Sequence, residues 1–127
     1  MLSISTKYAI KALTYLARHR DDSFVSVDDL SEKSGVPRPY LAKLVKNLGI
    51  NGIVITKKGL SGGVRLNRDD AAPTFYDVCV ALNDPLVRNF CFLSKSRCGD
   101  KSPCKFHTEW SAAREPVIRF LKESTIE

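Results

Sequence analysis

Apolar side chains recur at every third or fourth position in five stretches of the chain, the spacing that places them on one face of an α-helix. A serine before the second stretch and a glycine after it are the residue types that begin and end helices. The sequence therefore predicts five helices, at Ser3–Arg20, Ser26–Gly35, Arg38–Leu48, Thr74–Leu82 and Lys105–Lys122.

Two short β-branched segments lie between the third and fourth predicted helices. Ile53–Thr56 and Val64–Leu66 have the composition of strands, and the segment between them, Lys57–Gly63, contains three glycines and two lysines. Glycines at a hairpin tip tolerate positive φ angles and close approach of another backbone. The sequence therefore predicts a β-hairpin with a basic tip, and a short extended piece at Phe24–Val25.

The order of these elements indicates the fold class. A short helix, a turn that contains Gly35 and a second helix with a basic outer face form a helix-turn-helix pattern, although a plain helical hairpin shares it. A basic hairpin directly afterwards makes the pattern a winged helix. We expect a mainly α protein with residues 1–70 as a winged helix-turn-helix domain. Residues 71–127 are expected to continue it with a sensor loop at about 91–107 and a long C-terminal dimerisation helix.

The distribution of charge favours a nucleic acid as the partner of the first half. Residues 1–68 carry twelve Lys/Arg and five Asp/Glu, whereas residues 69–127 carry eight and nine, and the whole chain has a net charge of +6. A basic surface that meets only solvent is the alternative to a polyanion partner. The predicted contacts with double-stranded DNA are Arg38, Pro39, Tyr40 and Lys43 in the major groove, and Lys57, Lys58 and Arg65 on the wing.

Some of these contacts have competing interpretations. Arg38 is the best candidate for a bidentate contact to guanine. Tyr40 has an alternative role as a core residue. Arg65 has an alternative role in which it only caps the wing and does not contact DNA. A nucleotide phosphate loop is disfavoured at the hairpin tip, because neither G-x-x-x-x-G-K-S/T nor G-x-G-x-x-G is present and no helix follows directly.

Three of the four cysteines lie in one segment near the C-terminus. Cys91, Cys98 and Cys104 are separated by six and five residues, and His107 follows after two more. The N-terminus has no apolar signal region and no apolar run approaches a membrane span, so a cytoplasmic protein without a membrane partner is expected. Clustered cysteines in that compartment more often bind metal or do redox chemistry than form disulfides. Three thiolates and an imidazole suit a soft metal centre.

Other uses of the cysteines stay open. Zinc could be held by three Cys and one His, although the gaps exceed the usual knuckle spacing, and neighbouring lysines and arginines would favour a thiol switch. A thiol oxidoreductase is disfavoured because no C-x-x-C pair is present, so we expect no enzyme. Cys79 lies in the apolar stripe of the fourth helix and is expected in the core.

The last predicted helix carries a heptad seam. Its members, spaced four, three, four and three residues apart, are Phe106, Trp110, Ala113, Val117 and Phe120. Such a seam suits packing along a second long helix, which predicts a homodimer, and packing on the helix's own domain is the alternative. Pro116 lies inside this helix, where we expect a kink or a break.

Four segments together resemble a known family of proteins. In chain order they are Ile4–Ala17, Val36–Leu48, the wing Lys58–Leu66 and the cysteine segment Cys91–His107. They resemble the bacterial winged-helix regulators that include the iron–sulfur cluster regulator IscR, the nitric-oxide-sensing repressor NsrR and the cysteine metabolism repressor CymR. The wing and the cysteine pattern are the specific parts of this resemblance.

The resemblance implies a homodimeric transcriptional regulator, expected to be a repressor, that binds a palindromic operator and holds an iron–sulfur cluster on the three cysteines. In IscR-like members the histidine after the last cysteine completes a [2Fe–2S] site, and His107 stands there. In NsrR-like members an aspartate in the first helix completes a [4Fe–4S] site, but Lys7 matches that position and an ammonium cannot ligate iron. We therefore favour [2Fe–2S].

Two departures from IscR bear on these expectations. The first cysteine gap is one residue longer than the five usual in IscR, which keeps [4Fe–4S] open. Ala42 stands where IscR has a glutamate that helps to select DNA sites.

Overall fold

Five α-helices and one antiparallel β-hairpin make up the part of the chain that the computed structural model describes, which is residues 2–19, 21, 23–88 and 106–127. A 3-10 turn, Pro85–Val87, lies between the last two helices. This confirms the predicted winged-helix fold class with a C-terminal helix. The elements in chain order are α1 (Ile4–Arg18), α2 (Val27–Ser34), α3 (Arg38–Ile50), β1 (Val54–Lys57), β2 (Gly63–Leu66), α4 (Phe75–Ala81) and α5 (His107–Glu123).

The helix boundaries follow the residues that cap them. Ser3, Ser26 and Thr74 each accept a hydrogen bond from a backbone N–H in the first helical turn, at 3.2, 3.1 and 3.0 Å. At Thr74 the Asp77 carboxylate also accepts from the Thr74 N–H, which completes a capping box. Gly35 ends α2 with a φ of 75°, so both predicted boundaries of this helix are confirmed.

One apolar core joins the first four helices and the hairpin. Leu13 of α1, Leu30 of α2, Leu41 of α3 and Val64 of β2 are each at most 1% exposed. The buried residues of α3, Leu41, Leu44 and Leu48, lie on one side of the helix, so its opposite face is exposed to solvent. α5 packs through Ile118 and Leu121 in a second cluster, together with buried residues of α4 and the 3-10 turn.

The hairpin is held by a third extended segment. The Val25 N–H donates to the Val64 carbonyl at 2.9 Å and the Val64 N–H donates to the Val25 carbonyl at 2.8 Å, so the extended piece predicted at Phe24–Val25 is confirmed. Gly63 has a φ of 147°, and a Cβ built there would lie 2.1 Å from the Val25 carbonyl oxygen. Only glycine therefore permits this close approach.

α5 continues through Pro116, so of the kink or break that was expected there, the break is wrong. Proline removes the hydrogen bond that its own N–H would donate to the carbonyl of Ala112. Ala112 is exposed, and the buried Ile118 and Leu121 hold the C-terminal half of the helix. None of the described helices is both long and apolar enough to span a bilayer.

Candidate nucleic-acid interface and sensor segment

The exposed face of α3 carries four of the predicted DNA contacts. Arg38, Pro39 and Lys43 are exposed, and Tyr40 is 48% exposed. Tyr40 is therefore not a core residue, and its ring packs edge-on against Tyr8 of α1 with the centroids 5.2 Å apart. The first turns of α3 thus present two cations and an aromatic ring to solvent.

Arg38 already has an acidic partner on the neighbouring helix. Its Nε donates a hydrogen bond to the Asp28 carboxylate, and both side chains are largely exposed. An exposed ion pair of this kind contributes about 1 kcal/mol or less to stability. A guanine or a phosphate can therefore replace Asp28 at small cost. The pair of Arg38 with Asp28 was not predicted from the sequence.

The hairpin presents its cations on one face. Lys57 lies opposite Gly63 and Arg65 lies opposite Ile55 in the strand register, so the two basic side chains project from the same side. Lys57 is exposed and Arg65 is half-buried. Lys58 follows β1 directly in the tip and is exposed. The three predicted wing contacts thus lie on β1, the tip and β2.

The hairpin is fixed to the end of α3 by backbone hydrogen bonds. The Ile53 N–H donates to the Leu48 carbonyl at 3.0 Å, and the Asn67 N–H donates to the Ile53 carbonyl at 3.0 Å. The Asn67 amide also donates to the Gly52 carbonyl at 2.9 Å. These bonds join the end of β2 to the start of β1 and both to α3, so the wing and the basic helix form one unit.

The predicted metal ligands Cys91, Cys98 and Cys104 lie outside the described residues, and His107 is the first residue of α5. As a donor set, three thiolates and an imidazole fit an iron–sulfur cluster. Within the described ranges, no group of three or more His, Cys, Asp or Glu side chains is placed to hold a metal.

Cys79 is separate from that donor set. Its side chain is fully buried between α4 and α5, which confirms the predicted core position. Burial, and then the negative charge of Asp84, raise the pKa of the Cys79 thiol to about 11. Cys79 therefore stays a protonated, apolar side chain at neutral pH.

Polar contacts tie together the elements that flank the segment carrying the cysteines. Asp84 is 1% exposed and accepts hydrogen bonds from the Ser3 N–H at 3.0 Å, the Thr6 hydroxyl at 2.7 Å and the Leu86 N–H at 2.9 Å. From α5, which follows the segment, Arg114 Nε donates to the Leu86 carbonyl at 2.6 Å. The 3-10 turn is thereby tied both to the start of α1 and to α5.

Asp84→Asn is expected to lower the free energy of unfolding by about 1–3 kcal/mol at pH 7, because an amide offers one acceptor oxygen where the carboxylate offers two. Burial alone would raise the pKa of Asp84, but its hydrogen bonds from Ser3, Thr6 and Leu86 outweigh burial and lower the pKa. The stabilisation is therefore complete above the pKa of an unfolded aspartate, about 3.9, and is lost as the pH falls through the lower folded-state pKa.

Urea unfolding of the wild type and the Asp84 variant between pH 7 and pH 3 measures this effect. The exposed Asp69→Asn is the matched control and should change stability little at any pH. A difference between wild type and Asp84→Asn that stayed constant over this range would contradict the assigned role of the ionised carboxylate.

Three members of the heptad seam of α5 are exposed, whereas Trp110 and Val117 are half-buried and Val117 packs against the second apolar cluster of the chain. Phe106 is 39% and Phe120 is 59% exposed, and Ala113 is also exposed. Phe120 meets Phe75 of α4 only edge-on, at a centroid distance of 6.2 Å. The buried residues in the described part of α5 are Ile118 and Leu121, which lie outside the seam, so part of the seam stays exposed.

Comparison with known proteins agrees with this architecture. The sequence profile of the Rrf2 family, described as iron-dependent transcriptional regulators, matches residues 2–127. A helix-turn-helix transcriptional regulator of Aquifex aeolicus is 31% identical over 128 residues, which are 99% of this chain and 88% of that protein. This chain is a member of the Rrf2 family. It is a transcriptional regulator and not an enzyme.

Further relatives of this Rrf2 regulator carry more specific names. The regulator IscR of Yersinia pseudotuberculosis is 30% identical over 125 residues, which are 98% of this chain and 76% of that protein. The solved structure of T. potens IscR superposes with a TM-score of 0.72 at 22% identity, over 99% of this chain and 82% of that one. CymR, the global cysteine regulator of B. subtilis, superposes with a TM-score of 0.75 at 23% identity, over 99% and 92%. These structures show a shared fold.

Proposed function

We propose that this Rrf2 regulator is a homodimeric repressor that binds a palindromic operator and whose affinity for DNA is set by an iron–sulfur cluster. The observation that supports DNA binding best is the basic, exposed face of α3 beside a wing that is fixed to the same helix. In this proposal residues 1–70 bind DNA and residues 71–127 sense the signal and dimerise, in the cytoplasm.

The basic surfaces of α3 and of the wing have different proposed roles on DNA. Arg38, Pro39, Tyr40 and Lys43 enter the major groove, where Arg38 exchanges Asp28 for a guanine edge. The wing residues Lys57, Lys58 and Arg65 contact phosphates or the minor groove. Phosphate contacts of this kind fix the register on the duplex, while base contacts on α3 select the sequence.

The proposed cluster ligands are Cys91, Cys98, Cys104 and His107, with [2Fe–2S] favoured over [4Fe–4S]. When bound, such a cluster supplies a redox-active centre that responds to oxidants, nitric oxide or iron–sulfur status. The chain's own part is transmission, since the ligand segment follows a turn that Arg114 ties to α5 and Asp84 ties to α1. A change in these anchors would alter the spacing of two recognition helices, and operator half-sites lie a fixed helical turn apart.

A second candidate keeps the DNA-binding surface and replaces the cluster with a zinc site or a thiol switch. The similarity to CymR supports the thiol switch, because one of the matching solved structures is an oxidised form of Staphylococcus aureus CymR. Metal and sulfide analysis of anaerobically prepared protein separates the three sensors. Iron with sulfide supports the cluster, and zinc without sulfide supports the zinc site. Protein that contains neither metal nor sulfide supports the thiol switch.

Lys43→Ala and Lys57→Ala are expected to weaken binding to an operator selected in vitro from random duplexes. Removal of one phosphate contact, the role proposed for Lys57, reduces the steepness of log K against log salt by about 0.9, and a symmetric dimer carries each substitution twice. Fluorescence anisotropy from 50 to 300 mM salt measures affinity and slope together.

Lys122→Ala on α5 is the matched control, because it removes the same charge at an exposed position away from α3 and the wing. Its affinity and salt slope should equal those of the wild type. If all three lysine variants bound DNA alike, the proposed surface would be wrong.

A further inference from the structure

The ring of Phe24 lies against two wing cations at once. Lys57 Nζ is 5.8 Å and Arg65 Cζ is 5.2 Å from its centroid. Both distances fall within the roughly 6 Å over which the negative face of an aromatic ring attracts a cation. Phe24 comes from the loop between α1 and α2, so a residue outside the hairpin contacts two of its three basic side chains.

The backbone holds this ring in place. Val25, the next residue, exchanges two hydrogen bonds with Val64 of β2, at 2.8 and 2.9 Å. Gly63 permits that approach because a side chain there would collide with the Val25 carbonyl. Phe24 is half-buried, so its position is coupled to the wing and does not vary freely.

The strand register explains why one ring serves two cations. Lys57 and Arg65 are diagonal neighbours on the same face of the hairpin, and Gly63, which lies opposite Lys57, has no side chain to separate them from the ring. Two long cationic side chains on one face otherwise repel each other and occupy many rotamers. An aromatic face offsets the repulsion and restricts both side chains before DNA arrives.

We propose that Phe24 is a positioning residue for DNA binding, whose ring holds Lys57 and Arg65 together on the outer face of the wing, where they contact the DNA backbone. This inference rests on the proposed function, in which the wing binds DNA. It adds a residue that itself need not touch the duplex. Arg65, which the ring contacts, is half-buried.

The test compares Phe24→Leu, which keeps an apolar side chain without a π face, with Phe24→Tyr, which keeps the π face. Phe24→Leu should weaken operator binding about threefold to tenfold in 50 mM salt, and Phe24→Tyr should retain most of the wild-type affinity. Thermal unfolding of the free proteins verifies that both variants are folded at the assay temperature.

The decisive measurement repeats Phe24→Leu in a chain that already carries Lys57→Ala and Arg65→Ala. If Phe24 acts through these cations, the third substitution causes no further loss of affinity. An equal loss in both backgrounds would overturn the proposal and assign Phe24 a purely structural role.

The remaining outcomes separate this inference from the function beneath it. If Lys57→Ala and Arg65→Ala weaken binding while Phe24→Leu binds like the wild type, the role of Phe24 alone is wrong. If Lys57→Ala and Arg65→Ala together leave the affinity unchanged, the wing does not contact DNA. The proposed role of the wing and the proposed role of Phe24 are then both wrong.

Discussion

Cys98→Ala is expected to abolish the visible absorbance of anaerobically purified protein, together with its iron and acid-labile sulfide. Cys98 is the middle of the three proposed thiolate ligands, so its loss leaves two thiolates and one imidazole for a centre that normally takes four protein ligands. An absorption spectrum with iron and sulfide counts per chain measures the effect. The expected result is complete loss and not a partial one.

The fourth cysteine provides the matched control. Cys79→Ala removes a thiol that is fully buried in the second apolar cluster and whose pKa is raised to about 11. Such a thiol supplies no thiolate to a cluster, so the variant should keep the wild-type spectrum and its iron and sulfide. Its cost should instead be about 1 kcal/mol of stability, because removal of the buried sulfur leaves a small cavity.

Loss of the cluster in Cys98→Ala should also affect DNA binding. Whether the loaded or the empty form binds the operator more tightly, Cys98→Ala should match the wild-type protein from which iron has been removed. Wild-type protein that contained neither iron nor sulfide would refute the cluster. Loss of the spectrum in Cys79→Ala as well would indicate that the variants had simply failed to fold.

Local chemistry explains the parts of the fold that could be predicted from the sequence. The bounds of α2 were predictable because a serine cap and a left-handed glycine lie next to the helix they close. α3 was predicted to end near Leu48 but continues to Ile50, because Gly49 is tolerated there and the Asn51 amide donates to the Asn47 carbonyl at 2.8 Å. Such errors of one or two residues reflect fraying at helix ends.

Contacts between residues far apart in the chain explain what was missed. The Arg68 guanidinium caps the end of α1 by donating to the carbonyls of Leu16, Ala17 and His19 at 3.1–3.2 Å. Asp84 accepts a hydrogen bond from the Thr6 hydroxyl, and the two residues are 78 positions apart in the chain. A single sequence carries no signal for such pairs, since any exposed arginine or aspartate has the same local pattern. The contacts of Phe24 with the wing were hidden for the same reason.

Ala113→Glu is expected to convert the proposed dimer to a monomer, with a dissociation constant raised about 100-fold or more. Ala113 is the central member of the heptad seam, and its exposure in the isolated subunit leaves it free to face a second α5. In the dimer, two glutamates would be buried near each other without a cationic partner, and both desolvation and repulsion disfavour that arrangement. Sedimentation velocity at micromolar concentration measures the change.

The neighbouring alanine is the control that isolates the seam. Ala112 is also exposed on α5, but it lies about 100° further around the helix axis from Ala113, away from the seam. Ala112→Glu makes the same chemical change in the same turn, so it has the same helix propensity and net charge. It should sediment as the wild-type dimer, and equal behaviour of the two variants would show that the seam is not the dimer interface.

Dissociation of the dimer should weaken DNA binding because the two recognition helices are no longer held together, and not because a direct contact with DNA is removed. α5 packs mainly on α4, so Ala113→Glu is expected to leave the DNA-binding residues on α3 and the wing intact on each subunit. A dimer that holds two recognition helices one helical turn apart gains about 10²–10⁴ in affinity over a single half-site contact, because the second contact becomes intramolecular. Ala113→Glu should therefore lose affinity for the whole palindrome but not for an isolated half-site. Equal loss on both duplexes would mean that the substitution had damaged the DNA-binding domain itself.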